Sequence, residues 1–196
     1  MKQTNENSDG TCIRVAFPVL GSAQWWGGIT YLFNLLFAIS KLDNENKKIH
    51  PVVFLGEKAE EEIVSMYKPY AELLRTPIYD RWHTLWFANT VLNKLTGTNY
   101  FLDRVLVKND IKVFSHALMP IRKNSRYKVI GWIPDFQHIH MPEMFSKKEV
   151  NFRNSVFSKM VEESDIIILS SYDAFEDLKK FAPGLSSKAR VLHFVP

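Results

Sequence analysis

The sequence has little cysteine and no long apolar run, and each shortage excludes a class of protein. Cys12 is the only cysteine among 196 residues, so the chain can form neither an internal disulfide nor a zinc site built from several thiolates. The longest apolar run, residues 29–39, contains Asn34 and is well short of the roughly 20 residues that span a bilayer. We therefore expect a cytoplasmic protein without a membrane-spanning segment.

Neither sign of charge is in large excess. The sequence has 25 basic and 21 acidic residues, a net charge of +4 at neutral pH, which permits an anionic ligand without specifying one. One local basic cluster contains Arg122, Lys123, Arg126 and Lys128. Because Tyr127 is the only aromatic residue among them, stacking on nucleobases is not indicated, and we expect a solvated loop and no nucleic-acid partner.

What the sequence does contain is enough apolar material for one core. Hydrophobic residues make up 46% of the chain, and a chain of this length ordinarily forms a single domain. Residues 1–10 are polar, and we expect them to be a flexible lead. A single domain is expected over residues 11–196.

Short apolar segments alternate with longer amphipathic ones, which is typical of βαβ units. The alternation predicts an α/β fold in which helices cover a mostly parallel sheet. Cys12 falls in the first expected strand, where it would be a small core residue. The expected strands lie at 12–17, 51–55, 73–76, 111–114, 128–133, 166–170 and 190–194, and the clearest helices at 29–41, 146–164 and 172–181.

The segment 79–95, YDRWHTLWFANTVLNKL, is rich in aromatic residues. Its rings, with Trp82 and Phe87 among them, lie close in sequence to Arg81 and His83, a mixture that suits a membrane interface. The alternative is a helix packed on the edge of the sheet. We favour that alternative, because aromatic side chains at helical spacing most often belong to the core.

Two glycines open the first expected helix, in the stretch PVLGSAQWWGG. The backbone N–H groups of Gly27 and Gly28 would lie at the positive end of the helix dipole, which is a geometry that binds phosphate. The spacing of Gly21, Gly27 and Gly28 does not match the G-x-G-x-x-G dinucleotide fingerprint. The alternative is structural, because glycine also permits tight turns and close helix packing.

The stretch GWIPDFQHIHMPEMFS, residues 131–146, follows an expected strand and contains Asp135, His138, His140 and Glu143. Ligands of parallel sheets collect beyond the carboxyl ends of the strands, so these side chains should face a cleft. Three interpretations stay open: a metal site, an acid/base pair in which Asp135 orients His138, or a structural loop. In the structural loop Asp135 would cap the turn and backbone carbonyls would satisfy the histidines.

Three sequence patterns together resemble the N-terminal half of GT-B glycosyltransferases of family four. They are G-G-I-x-Y-L-x-N-L-L at 27–36, W-I-P-D-F-Q-H-x-H-x-P-E-M-F-S at 132–146, and S-D-I-I-I-L-S-S at 164–171. The resemblance covers about residues 13–196. It implies a Rossmann-like, mostly parallel sheet flanked by helices on both faces, which is one half of a GT-B fold.

The resemblance also implies roles for individual residues. Such enzymes transfer a sugar from a nucleotide-sugar to a glycan or glycolipid acceptor and retain its anomeric configuration. Gly27 and Gly28 would approach the donor diphosphate, and His138 would contact the donor sugar. Asp135 and Glu143 would organise the loop or contact the acceptor, with His140 among the substrate-binding residues.

In this family the donor-binding domain, with its Glu-x7-Glu motif, follows the acceptor domain. The chain ends near the expected linker, so we expect that domain in the same or another chain, and we expect residues 1–196 alone to be inactive. No cofactor or metal is expected, and peripheral contact with the inner face of a membrane is possible. The alternatives are a non-catalytic binding half of a split transferase and a metal-dependent hydrolase that uses Asp135, His138 and His140.

Overall fold

Seven strands form one sheet in which every pair of neighbours is parallel, in the order β3-β2-β1-β4-β5-β6-β7. The computed structural model describes residues 12–20, 25–42, 49–122 and 126–194, so the expected lead at 1–10 lies outside the described residues. The strands are β1 (Ile13–Pro18), β2 (Ile49–Leu55), β3 (Glu72–Arg75), β4 (Val113–Ala117), β5 (Lys128–Ile133), β6 (Ile166–Leu169) and β7 (Ala189–Val191).

The helices connect these strands and cover both faces of the sheet, which confirms the α/β, Rossmann-like fold. Short 3₁₀ turns lie at Pro77–Tyr79, Pro142–Met144 and Pro183–Lys188. The helices are α1 (Trp26–Ser40), α2 (Glu61–Tyr67), α3 (Thr84–Thr96), α4 (Tyr100–Lys108), α5 (Gln137–His140), α6 (Lys147–Glu163) and α7 (Tyr172–Phe181).

Alternate side chains of β2 belong to different apolar clusters, one on each face of the sheet. Val53 and Leu55 pack with α1 and α2 in one apolar cluster, whereas Val52 and Phe54 pack with α4 in another. Successive side chains of a strand point to opposite faces, so the two clusters lie on opposite sides of the sheet. A third cluster joins β6 to α6 and α7 on the same side as α4.

Three expected strand boundaries need correction. Strand β7 ends at Val191 and does not continue to residue 194. Cys12 precedes β1 and is exposed, so it is not a core residue. Ile111 does not belong to β4, because its N–H donates to the carbonyl of Leu106 at the end of α4. Hydrophobicity could not separate these cases, because an apolar residue can end a helix as readily as begin a strand.

The start of α6 is encoded locally. The Oγ of Ser146 accepts from the backbone N–H of Glu149 at 3.2 Å, and the Glu149 carboxylate accepts from the backbone N–H of Ser146 at 2.8 Å. This reciprocal capping box satisfies two N–H groups that have no partner inside the helix.

The segment 79–95 contains helix α3, but the favoured interpretation, in which its aromatic residues belong to the core at the sheet edge, is wrong. None of the α3 side chains is buried, Trp82 just before the helix is 77% exposed and Phe87 is 60% exposed. The helix packs against α4 and the 3₁₀ turn at Pro77–Tyr79. Within the residues described, no helix is long and apolar enough to cross a bilayer.

The two glycines of α1 differ in their surroundings. A Cβ at Gly28 would lie 2.7 Å from the carbonyl oxygen of Leu20 and 2.9 Å from the Trp25 ring. A Cβ at Gly27 would meet only the Trp25 ring, at 3.4 Å, and Gly27 is exposed. Gly28 is therefore required for close packing of α1 on the chain that leaves β1, and Gly27 is free of that requirement.

We expect Gly28→Ala to lower the free energy of unfolding by about 1–3 kcal/mol, because the backbone of Leu20 cannot move away cheaply. Gly27→Ala is the matched control and should leave stability unchanged or raise it by up to about 1 kcal/mol, since alanine fits a helix better than glycine. Urea unfolding followed by circular dichroism measures both. Equal effects of the two substitutions would contradict the packing role of Gly28.

Candidate functional site

The carboxyl ends of all seven strands lie at one edge of the sheet, and the candidate site lies there. Strand β1 pairs with β2 on one side and β4 on the other, so the strand order reverses between β1 and β4. In open parallel sheets, ligands bind in the crevice outside such a switch point. The elements that meet there are the start of α1, the end of β4 and the segments after β5 and β6.

The end of β4 carries an irregularity that sets the position of His116. The register between β4 and β5 shifts between Phe114 and Ala117, and His116 has a φ of 60°. A bulge of this kind re-aims a side chain, and the left-handed conformation costs a residue with a Cβ roughly 1–2 kcal/mol. Packing of the surrounding sheet must therefore hold His116 in place.

His116 is buried, and both of its ring nitrogens have partners. Its Nε2 lies 2.8 Å from the hydroxyl of Tyr31 on α1, and its Nδ1 lies 2.8 Å from the hydroxyl of Ser115. Burial lowers the pKa of His116 to about 3, because the charged form would lose its hydration. The imidazole is thus neutral at physiological pH and links β4 to α1.

Aromatic rings surround this histidine in a stack that reaches the surface. The rings of Tyr31 and Trp132 lie 4.6 Å apart and nearly parallel, and Trp25 stacks on Trp132 at 6.3 Å. Phe194 contacts Tyr31 edge-on at 5.1 Å. Trp25 is 43% exposed, so the outer end of the stack offers a flat apolar surface beside the switch point. We call Trp25, Tyr31, His116, Trp132 and Phe194 the aromatic–histidine cluster.

A second group lies between α5 and α7 in an open cleft of about 500 Å³. The Nε2 of His140 lies 2.7 Å from Oδ2 of Asp177, and the imidazole is more than half exposed. An exposed imidazole held by a carboxylate can exchange protons or hydrogen-bond a ligand hydroxyl. The ionisable side chains that line this His140–Asp177 cleft are Asp135, His140, Asp173, Glu176, Asp177 and Lys180.

His138 lies outside that cleft. It is 0% exposed and packs against Phe136 and Phe157, while its Nε2 is 3.0 Å from Oδ1 of Asn154 on α6. Burial lowers its pKa, with a smaller lowering from Arg153, against the opposing hydrogen bond from Asn154. The catalytic role of His138 stays a prediction, and this burial does not favour it.

Of the two other expected loop residues, Asp135 lines the cleft with His140 and Glu143 does not. Oδ1 of Asp135 accepts from the backbone N–H of Gln137 at 3.1 Å, which is the turn-capping role that the structural interpretation predicts. Glu143 is exposed in the turn before α6. The described ranges contain no group of three or more histidine, cysteine, aspartate or glutamate side chains placed to hold a metal ion. The metal-dependent hydrolase interpretation of Asp135, His138 and His140 therefore lacks its donor set.

The sequence-based prediction missed all five residues of the aromatic–histidine cluster and also Asp177. The rule that polar residues collect after parallel strands, applied to β4 as it was to β5, would have found His116. No local signal identifies Tyr31 or Asp177, because each lies on a helix whose rotation about its axis is set by packing.

Comparison with known proteins does not assign a family to this chain. No protein-family model matches it, and no protein of curated function matches it significantly. The similarity to family-four glycosyltransferases remains a resemblance in three sequence patterns. The Rossmann-like fold is compatible with that resemblance, but the fold serves many unrelated functions.

The low pKa of His116 predicts a pH dependence of stability. Because the folded pKa of about 3 is below the ordinary value near 6.5, the stabilisation is complete above about pH 6.5 and is lost as the pH falls toward 3. Asparagine tolerates the left-handed conformation, so we test His116→Asn. Between about pH 7 and pH 5, the free energy of unfolding should fall by about 2 kcal/mol less in His116→Asn than in the wild type.

Urea unfolding at a series of pH values measures this difference. His193→Asn, a substitution at an exposed histidine after β7, is the control and should keep the pH dependence of the wild type. If the free energy of unfolding of His116→Asn varied with pH as steeply as that of the wild type, the fold would not hold His116 neutral.

Proposed function

We propose that this chain is the acceptor-binding half of a retaining glycosyltransferase, which transfers a sugar from a nucleotide-sugar to a glycan or glycolipid. The observation that carries the proposal is the meeting, at the switch point, of the open end of α1 with the exposed end of the aromatic–histidine cluster. The N-terminus of α1 would bind an anion, and the exposed end of the cluster would bind a sugar ring. A donor-binding half, in the same or another chain, would complete the enzyme.

The start of α1 suits a diphosphate. Its N-cap residue, Trp25, makes no side-chain hydrogen bond to the first turn, and that turn holds no acidic residue. The N–H groups and the positive end of the helix dipole are therefore not neutralised by these side chains. Gly27 is exposed and has no side chain, so a phosphate oxygen can approach the backbone closely.

The exposed tryptophans suit a sugar. Trp25 and Trp26 are each exposed over about two fifths of their surface, and Trp25 is held by its stack on Trp132. Binding sites typically combine such fixed apolar surfaces with a few polar groups. The C–H face of a pyranose would lie on the indole ring, and its hydroxyls would remain available to polar neighbours.

The His140–Asp177 cleft supplies a polar group for the acceptor. Asp177 holds the imidazole ring through its 2.7 Å contact with Nε2, which leaves Nδ1 to hydrogen-bond an acceptor hydroxyl. Glu143, in the turn that follows α5, is a further acceptor-side candidate. The donor-binding half would neutralise the leaving diphosphate, because preorganised electrostatics is normally a large part of catalysis.

We expect this chain to bind at least one saccharide or glycolipid, and Trp25→Ala to weaken that binding about tenfold through loss of the stacking surface. A saccharide array followed by isothermal titration measures the affinity. Phe152→Ala removes another exposed aromatic side chain, on α6, and is the matched control. Equal affinities of the two variants would contradict the stacking role of Trp25.

Transfer is tested on the full-length natural protein with labelled nucleotide-sugars and the saccharide found above. We expect a product that keeps the anomeric configuration of the donor. His140→Ala should raise the KM for the acceptor about tenfold with little change in kcat, because the contact is made in the ground state as well as in the transition state. Binding without transfer would favour the non-catalytic binding half, and absence of both would overturn the proposal.

A further inference from the structure

Helix α3 presents an apolar stripe to solvent. Phe87, Val91 and Leu95 follow one another at intervals of four residues, which places them on one face of the helix, and all three are exposed. Trp82, two residues before α3, and Tyr100, at the start of α4, are also exposed. We call these five residues the apolar α3 surface. Contiguous exposed apolar area of this kind marks an interaction site in a folded protein.

The surface includes a groove as well as a stripe. The groove has a volume of about 430 Å³, and all of its lining residues are apolar. They come from α3 and from the start of α4, which packs against it. The groove is lined by Phe87, Ala88, Val91, Leu92, Leu95 and Phe101.

Basic residues outnumber acidic ones in this part of the chain. From residue 81 to residue 108 the sequence has four basic residues, Arg81, Lys94, Arg104 and Lys108, and one acidic residue, Asp103. The carboxylate of Asp103 accepts from the hydroxyl of Tyr127, so it is already engaged. The surplus of three positive charges over residues 81–108 compares with four over the whole chain.

Two of the cations lie directly on aromatic rings of the surface. The guanidinium of Arg81 is 5.2 Å from the centre of the Trp82 ring, and that of Arg104 is 5.7 Å from the centre of the Tyr100 ring. At the boundary between acyl chains and headgroups, an aromatic ring occupies the apolar side while a neighbouring cation reaches the phosphates. Both pairs thus place an apolar ring and a cation side by side, which is the combination that this boundary binds.

We propose that the apolar α3 surface docks on a bilayer that contains anionic phospholipid. At 1.5 Å per residue the 13 residues of α3 give a helix about 20 Å long, which lies in the interface and does not span it. Basic residues add attraction to an anionic leaflet, and the apolar stripe enters the headgroup region. A second copy of the same surface would bring like charges together, which disfavours self-association as its use.

The docked surface and the candidate site share an edge of the sheet. Asp80 accepts from the backbone N–H groups of Glu57 and Lys58, at 2.9 and 3.2 Å, and so ties the chain before Trp82 to the carboxyl end of β2. Docking therefore brings that edge toward the lipid. If the proposed function holds, the acceptor is a glycolipid presented by the bilayer. This identification of the acceptor rests on the proposed function, whereas the docking itself does not.

Flotation of the purified chain with vesicles tests the docking. The vesicles are phosphatidylcholine alone or phosphatidylcholine with about 30% phosphatidylglycerol. We expect the chain to float with the anionic vesicles at about 0.1 M salt, with at least a threefold lower bound fraction at about 0.5 M salt. Absence of flotation with anionic vesicles at low salt overturns the proposal, as does equal flotation with both vesicle types.

Paired variants locate the contact. Phe87→Ser combined with Leu95→Ser should lower the vesicle partition coefficient about tenfold, whereas Phe152→Ser, at an equally exposed phenylalanine of α6, should not change it. Lys94→Gln with Lys108→Gln should weaken binding, and the matched pair Lys147→Gln with Lys148→Gln on α6 should weaken it less.

Because all of these side chains are exposed, the variants should keep the wild-type circular dichroism spectrum, which is the check on folding. Equal losses in the α3 and α6 variants would overturn the assignment to the apolar α3 surface. A concentration-dependent dimer that Phe87→Ser with Leu95→Ser abolishes, without vesicle binding by the wild type, would show that a second copy occupies the surface and would also overturn the proposal.

Discussion

The rest of the structure depends on the parallel pairing of β1 with both β2 and β4. Connections between parallel strands are right-handed in nearly all proteins, so a sheet that grows outward from β1 in both directions must place its connecting helices on opposite faces. That is the division seen between the α1 and α2 side and the α4, α6 and α7 side. The same constraint opens the crevice at the end of β1 and β4.

Buried polar side chains stabilise the crevice, although burying polar groups costs free energy. His116 adopts a left-handed conformation inside a bulge and hydrogen-bonds Tyr31 across the switch point. A buried imidazole is tolerated there because both nitrogens have hydroxyl partners and the ring stays neutral. The stack through Trp132 to Trp25 then extends this rigid centre to an exposed ring. A binding surface on a loop is normally less rigid, and this stack supplies the missing support.

The sequence predicted the elements better than it predicted the site. All seven strands and the helices α1, α6 and α7 lie close to where apolar periodicity and the Ser146 capping box placed them. The family resemblance implies that His138 contacts the donor sugar, yet His138 lies between Phe136 and Phe157 while His140 faces the cleft. Two histidines separated by one residue in a short helix point in different directions, and only the packing of α5 on α6 and α7 determines which one is exposed.

Local periodicity and a handedness rule shared by all such chains are enough to predict the α/β class, the parallel sheet and the edge at which the candidate site lies. Tertiary structure decided which side chains meet at that edge and which apolar face stays uncovered. His116 reaches Tyr31, and His140 reaches Asp177, across 85 and 37 residues of sequence. The stripe on α3 has the pattern of a core helix, but the sheet beside it is already covered by α4, and so it faces solvent. Contacts between distant residues depend on the space that the other elements leave, and no local pattern carries that information.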